Sequence, residues 1–194
     1  MSKDWERLLE IIVRNSYREG TFTLTSGRQS DFYIDCKETT LSAEGAYLCG
    51  RLLLDRIRPF LEEIRGVGGM TLGADPLVTA VSVVSFIEGS PLPAFIIRKE
   101  KKGHGTGSWI EGKRNIPKGS TVALLEDVVT TGGTLLKAAE RTREEGYRVG
   151  PVLAVVDREE GGREALEACG LSLTALFTRR DIQKGVSKNG PFAR

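Results

Sequence analysis

The chain is poor in the residues that announce a metal centre or a cross-linked scaffold. Its three cysteines, Cys36, Cys49 and Cys169, are widely spaced and form no C-x-x-C pair. A disulfide framework or structural zinc site is therefore not expected, and reducing cytoplasm is the expected location. A single histidine, His104, excludes a His-rich metal site. The longest near-apolar run, Pro76 to Ile87, is interrupted by Thr79, Ser82 and Ser85 and is too short to span a bilayer. The first residues, Met1 to Glu6, lack the apolar core of a secretory signal, so no membrane association is expected. A formal charge of +2 makes no case for a nucleic-acid partner. G-x-x-x-x-G-K-[ST] and G-x-G-x-x-G are both missing, which removes the fingerprints for nucleoside triphosphates and dinucleotides. There is no internal repeat, and no recognisable Ser-His-Asp or Cys-His arrangement.

What is present concentrates in one string of fourteen residues. Thr121 to Leu125 is an apolar, strand-like run; Glu126 and Asp127 follow, then Val128 and Val129, then Thr130-Thr131-Gly132-Gly133-Thr134 at the entrance of a helix. Two acids at the end of a strand are poor packing material. The Thr/Gly turn is good anion-binding material, because the first helical amides have no intrahelical partner and the helix dipole favours negative charge. Threonine hydroxyls add donors, whereas Glu126 and Asp127 only accept and so suit sugar hydroxyls. Together the two halves describe a site for a ribose 5-phosphate group. The string resembles the phosphoribosyl-diphosphate (PRPP) binding motif of type I phosphoribosyltransferases, a motif that specifies the donor and not the base that accepts the ribose.

With 194 residues, one domain with its own core is expected. Leu8, Leu9, Ile12 and Val13 recur at helical spacing, which predicts a helix from Asp4 to Arg18. Thr21 to Cys36 reads as short strands around a Ser26-Gly27 turn, and Ser42 to Arg58 as a second helix capped by Ser42. Strands are then expected at Ile64–Val67, Ala94–Arg98, Thr121–Leu125, Pro151–Val156 and Leu171–Phe177. Helices are expected at Pro76–Ile87, which reads as buried, at Leu135–Glu145 and at Gly162–Ala168. The polar tail from Asp181 to Arg194 reads as loosely ordered. Such alternation predicts an α/β fold, a mostly parallel sheet flanked by helices, with ligands beyond the carboxyl ends of the strands.

Four further segments bear on chemistry. Arg98-Lys99-Glu100-Lys101-Lys102-Gly103-His104-Gly105 carries four cations and the only histidine; taken alone it reads as a solvated basic turn, and beside a ribose-phosphate motif as a cationic lid for a diphosphate leaving group. Phe22-Thr23-Leu24-Thr25-Ser26-Gly27 with Phe32-Tyr33 reads either as core aromatics with a turn or as a stacking platform for a flat base. Thr71-Leu72-Gly73-Ala74 joins a strand to a helix and can present amides. Arg158, in Val155-Val156-Asp157-Arg158, is either an exposed arginine paired with neighbouring acids or a bidentate fork for a carboxylate.

In order along the chain, these segments resemble the signatures of orotate phosphoribosyltransferases. That resemblance implies transfer of ribose 5-phosphate from PRPP to orotate, with release of pyrophosphate. It implies PRPP contacts from Arg98, Lys99, Lys102 and His104, with Lys102 and His104 as the catalytic pair, and from Glu126, Asp127, Val128, Val129, Thr130, Thr131, Gly132, Gly133 and Thr134. Thr71, Leu72, Gly73 and Ala74 would form the pyrophosphate loop, and Ser26, Phe32, Tyr33, Thr130 and Arg158 the orotate pocket. The family also implies Mg2+ held mainly by substrate and water, a homodimer sharing lid residues across its interface, and a hood from residues 1–40 over a single 1–194 domain. Two positions depart from the family pattern: Thr25 stands where many members carry a lysine, and Gly73 where some members carry a basic residue. Alternatives left open are a purine-base phosphoribosyltransferase and a non-catalytic PRPP-sensing regulator.

Overall fold

The computed structural model describes residues 2–23, 29–101 and 107–189. The helix α1 (Lys3–Asn15) is capped by Ser2, whose hydroxyl accepts from the Trp5 amide, and buries Leu8, Ile11, Ile12 and Val13. Such a cap contributes about 1 kcal/mol. The chain leaves the helix earlier than its periodicity predicts because Ser16 bonds Thr39 through its hydroxyl. Tyr17 then enters the hairpin β1 (Tyr17–Thr23) and β2 (Gln29–Ile34), where it pairs with Ile34. The short α2 (Lys37–Thr40) precedes α3 (Ala43–Ile57), which is capped by Ser42 as expected.

Then follow β3 (Ile64–Met70), α4 (Asp75–Ile87), β4 (Ala94–Ile97) and β5 (Ile110–Glu111). The second half comprises β6 (Thr121–Val129), α5 (Gly133–Glu144), β7 (Arg148–Asp157), α6 (Gly162–Glu167), β8 (Leu173–Thr178) and α7 (Arg179–Asn189). The tail read as loosely ordered is thus helical as far as Asn189. Its Ile182 is fully buried, and Gly185 lies against Leu9 and Val13 of α1.

The main sheet has the order β5-β4-β3-β6-β7-β8 and is parallel except for β5. Strand order reverses between β3 and β6, the point at which open α/β sheets form a ligand crevice. Period-two alternation divides the core. Ala123, Leu125, Leu153 and Val155 pack with α1, α3 and α4, whereas Val122, Leu124, Val152 and Ala154 pack with α5 and α6. Each fully buried aliphatic chain contributes roughly 1.5–3 kcal/mol, so the sheet is a rigid base for whatever its carboxyl edge carries. The helix α4 differs from its reading as a buried helix. Leu77, Val78 and Val81 are buried, but Val83, Phe86 and Ile87 are 53%, 74% and 71% exposed.

Candidate functional site

The turn at 71–74, the start of the basic segment at Arg98, the Thr/Gly bend and Arg158 follow the carboxyl ends of β3, β4, β6 and β7, whereas Phe32 and Tyr33 lie in the β1–β2 hairpin. Glu126 and Asp127 lie inside β6 rather than beyond it. The Glu126 carboxylate is buried, with one oxygen near the Asp127 amide and Oε2 lacking any partner among the described atoms. Burial, and then the charge of Asp127, push this carboxyl well above its usual range; the cation of Lys99 works in the opposite direction. Asp127 accepts from the Val128 amide at 2.8 Å. An unpartnered buried oxygen asks for a donor, which a ligand hydroxyl can supply.

The bend begins where β6 ends. Gly132 has φ +79°, and a Cβ there would meet the Gly162 carbonyl at 2.9 Å, so the position is closed to other residues on both counts. The first intrahelical bond runs from the Leu136 amide to the Gly132 carbonyl. The amides of Gly133, Thr134 and Leu135 thereby have no intrahelical acceptor, and these three residues line a cavity of about 280 Å³ together with Glu126, residues 128–132 and Lys137. The arrangement suits an anion, with the buried carboxylate of Glu126 on the cavity wall.

The turn Thr71–Ala74 stands beside it. The Thr71 amide bonds the Ile97 carbonyl and the Thr71 hydroxyl bonds Asp75. The amides of Leu72 and Gly73 are not used by backbone bonds among the described residues. A Cβ on Gly73 would lie 2.6 Å from an oxygen of Asp127. The glycine that replaces a basic residue is therefore matched to a carboxylate filling that space.

Arg98 and Lys99 follow β4, with Lys99 exposed and Arg98 bonded through its guanidinium to Glu111 at 3.1 Å. Lys102, His104, Ser26 and the departure Thr25 lie outside the described residues. Arg158 is 3% exposed; its amide bonds the Val129 carbonyl, and its Nε donates to Glu160 at 2.8 Å. Its guanidinium lies 4.3 Å from the ring centre of Phe32, and that of Arg179 lies 4.4 Å from the same ring. Phe32 is buried while Tyr33, which alternates to the other side of β2, is 40% exposed and tilts against Phe22. The two aromatics therefore cannot flank one ligand from the same strand face; Phe32 carries cations, and Tyr33 is the accessible ring. Sequence reasoning missed Arg179, whose signal is only spatial.

No group of three or more His, Cys, Asp or Glu among the described residues forms a metal cage. The buried thiols of Cys36 and Cys49 are raised, that of Cys49 to about 12, so neither offers a thiolate. No helix among the described residues is long and apolar enough to cross a membrane.

The parallel sheet, its switch-point crevice and the carboxylate-plus-bend cup define a phosphoribosyltransferase, and the family model for the phosphoribosyl transferase domain matches residues 70–169. The chain is 52% identical over 178 residues to the orotate phosphoribosyltransferase of Thermosynechococcus vestitus, covering 92% of each chain. A solved structure of Mycobacterium tuberculosis H37Rv orotate phosphoribosyltransferase in complex with Fe(III) dicitrate is 37% identical, with a TM-score of 0.81 over 92% of this chain and 98% of that one. Another of that enzyme, in complex with PRPP, is 34% identical, with a TM-score of 0.76 over 93% and 99%. The chain belongs to the orotate phosphoribosyltransferase family.

Proposed function

We propose that the cup at the end of β6 holds the ribose 5-phosphate of PRPP while orotate attacks the anomeric carbon. A ring nitrogen of orotate forms the new bond to that carbon with inversion and gives up its proton, and the bond to the diphosphate oxygen breaks, its electron pair leaving with pyrophosphate, which can take up that proton. The protein's work is orientation and charge stabilisation. The amides of 133–135 and the hydroxyls of Thr130, Thr131 and Thr134 take the 5-phosphate. Glu126 and Asp127 take the ribose hydroxyls, and the turn at Thr71–Ala74 with Lys99 takes the diphosphate. Arg158 meets the orotate carboxylate from its shelf on Phe32, with Tyr33 the ring open to the base. Lys102 and His104 are assigned to the leaving group by their place in the family pattern.

The observation that carries this reading is the unpartnered, buried Oε2 of Glu126 beside free helix amides. It favours a ligand that offers hydroxyl and phosphate together. Magnesium suits the site in a limited way. Two hard carboxylates, Glu126 and Asp127, and no three-ligand cage among the described residues would suit an ion held mainly by substrate and water. When bound, it neutralises diphosphate charge.

The exposed apolar face formed by Leu41, Tyr47, Leu72 and Val83, around a cavity of about 590 Å³, supports a homodimer. Leu72 joins that face to the pyrophosphate turn, in keeping with lid residues shared between subunits. The hairpin of β1 and β2 supports a hood from residues 1–40 within one 1–194 domain. Three cysteines without a disulfide suit the cytoplasm. The reading is tested by assaying pyrophosphate release from PRPP with orotate, adenine, guanine and hypoxanthine in turn. Release with orotate alone is expected; release with a purine, or with no base, contradicts it.

A further inference from the structure

Arg141, in the last turn of α5, ties together segments far from it in sequence. One guanidinium nitrogen donates to the Arg98 carbonyl at 2.7 Å and also lies 3.2 Å from the Met70 sulfur. The guanidinium carbon sits 4.0 Å from the ring centre of Trp109, a cation–π distance. Met70 is the last residue of β3, directly before the Thr71–Ala74 turn. Arg98 follows β4, and its carbonyl belongs to the peptide that leads into Lys99. The Arg98 amide in turn donates to the Trp109 carbonyl at 2.8 Å. Arg98 is therefore held by its backbone on both sides, and the direction in which Lys99 leaves β4 is set by those two bonds.

The end of α5 also fixes Trp109 directly. The indole N–H donates to Glu144 at 2.7 Å and the Trp109 amide to Glu145 at 2.6 Å. Glu145 also receives Lys113 at 3.0 Å and Ser108 at 2.9 Å. Burial alone would raise the Glu145 carboxyl, but the Trp109 amide, Lys113 and Ser108 hold it below the usual range. It is an anchored anion at the foot of the brace.

We propose that Arg141 is a positioning residue for the diphosphate half of PRPP. It sets Lys99 and the Thr71–Ala74 turn at a fixed distance from the phosphate bend, which opens the same helix. The argument rests on the PRPP reading of the cup. Its physical basis is that a misplacement of about 1 Å far from the reacting atoms can cost about a hundredfold in rate. The 5-phosphate and orotate contacts lie off this brace and are not set by it.

The test compares the parent with Arg141→Met, which keeps an apolar stem, Arg141→Lys, which keeps the charge without the fork, and Trp109→Leu, which removes the platform. Calorimetry with PRPP and with ribose 5-phosphate in the absence of orotate is combined with steady-state kinetics and thermal midpoints. Arg141→Met is expected to weaken PRPP binding about tenfold or more and to raise the KM for pyrophosphate in the reverse reaction. Ribose 5-phosphate affinity and the orotate KM should stay within about twofold of the parent. Arg141→Lys should recover part of the loss, and Trp109→Leu should shift PRPP in the same direction. Parent-like PRPP affinity in Arg141→Met overturns the inference while leaving the cup intact. A loss shared equally by PRPP, ribose 5-phosphate and orotate also overturns it, because that pattern marks damage to the fold. A parent that binds no PRPP overturns both this inference and the function on which it rests.

Discussion

Glu126 is the residue at which stability and function pull in opposite directions. Its folded-state pKa is raised by burial and by Asp127, so the proton is held more tightly folded than unfolded. Whatever this carboxyl contributes to stability is present below its unfolded value and is lost as pH rises through the folded one. Glu126→Gln is therefore expected to raise the melting temperature of the ligand-free protein, by an amount that grows with pH above the carboxylate range. It should also weaken PRPP binding, because the hydroxyl-accepting charge is gone. A pH series of thermal melts on both proteins checks the first statement and titration with PRPP the second. Arg158 presents the complementary case. A fork on a buried shelf discriminates for a carboxylate by about 1.5–3 kcal/mol, so Arg158→Lys should raise the orotate KM roughly tenfold to a hundredfold and leave the PRPP KM near its parent value. Equal rises in both constants would show that Arg158 has no special relation to the acceptor. Arg158 was legible in the sequence through its V-D-R context. Arg179 and Arg141 were not, because their partners, Phe32 and Arg98, are distant along the chain.

Among the elements, the junction of β6 and α5 carries the most. Its strand was readable from the apolar run and its helix from the Thr/Gly entrance. The reading stopped the strand at Leu125 because acids break an apolar pattern, although the strand continues through Glu126 and Asp127, with Glu126, Val128 and Val129 paired to β7. Gly132 is the hinge of this junction. Forcing a side chain to φ +79° costs about 1–2 kcal/mol, and the Gly162 carbonyl stands in the way. Gly132→Ala is expected to lower thermal stability and to weaken ribose 5-phosphate binding, while Gly133→Ala, whose Cβ would meet only the Thr131 hydroxyl at 3.9 Å, should be milder. Thermal melts and ribose 5-phosphate titrations on the two variants decide the ordering. Elements that escaped the sequence were those with too few residues for periodicity, such as β5 with two and α2 with four. The helix α7 escaped for another reason. Its composition is polar, and its burial depends on Ile182 and on a glycine that meets α1.

For the whole molecule, the mostly parallel sheet and the position of the β6–α5 bend at the carboxyl end of its strand follow from strand–helix alternation, and that much the sequence made plain. What it left open was the outer surface. The helix α4 is apolar on nearly all sides, which reads as burial, yet it leaves Val83, Phe86 and Ile87 exposed. A face of this kind is a cost to a monomer and a resource for a dimer. Val83→Glu is expected to shift the protein toward monomer by light scattering and to reduce activity with PRPP, since Val83 and Leu72 line one cavity. An unchanged mass with unchanged activity would place the subunit contact elsewhere.

If the β6 carboxylates and the α5 bend together hold a phosphorylated ribose, calorimetric titration of PRPP with magnesium into the purified protein should give saturable one-site heat that ribose 5-phosphate competes away and Gly132→Ala diminishes. Absence of heat, or heat untouched by either, would contradict that reading.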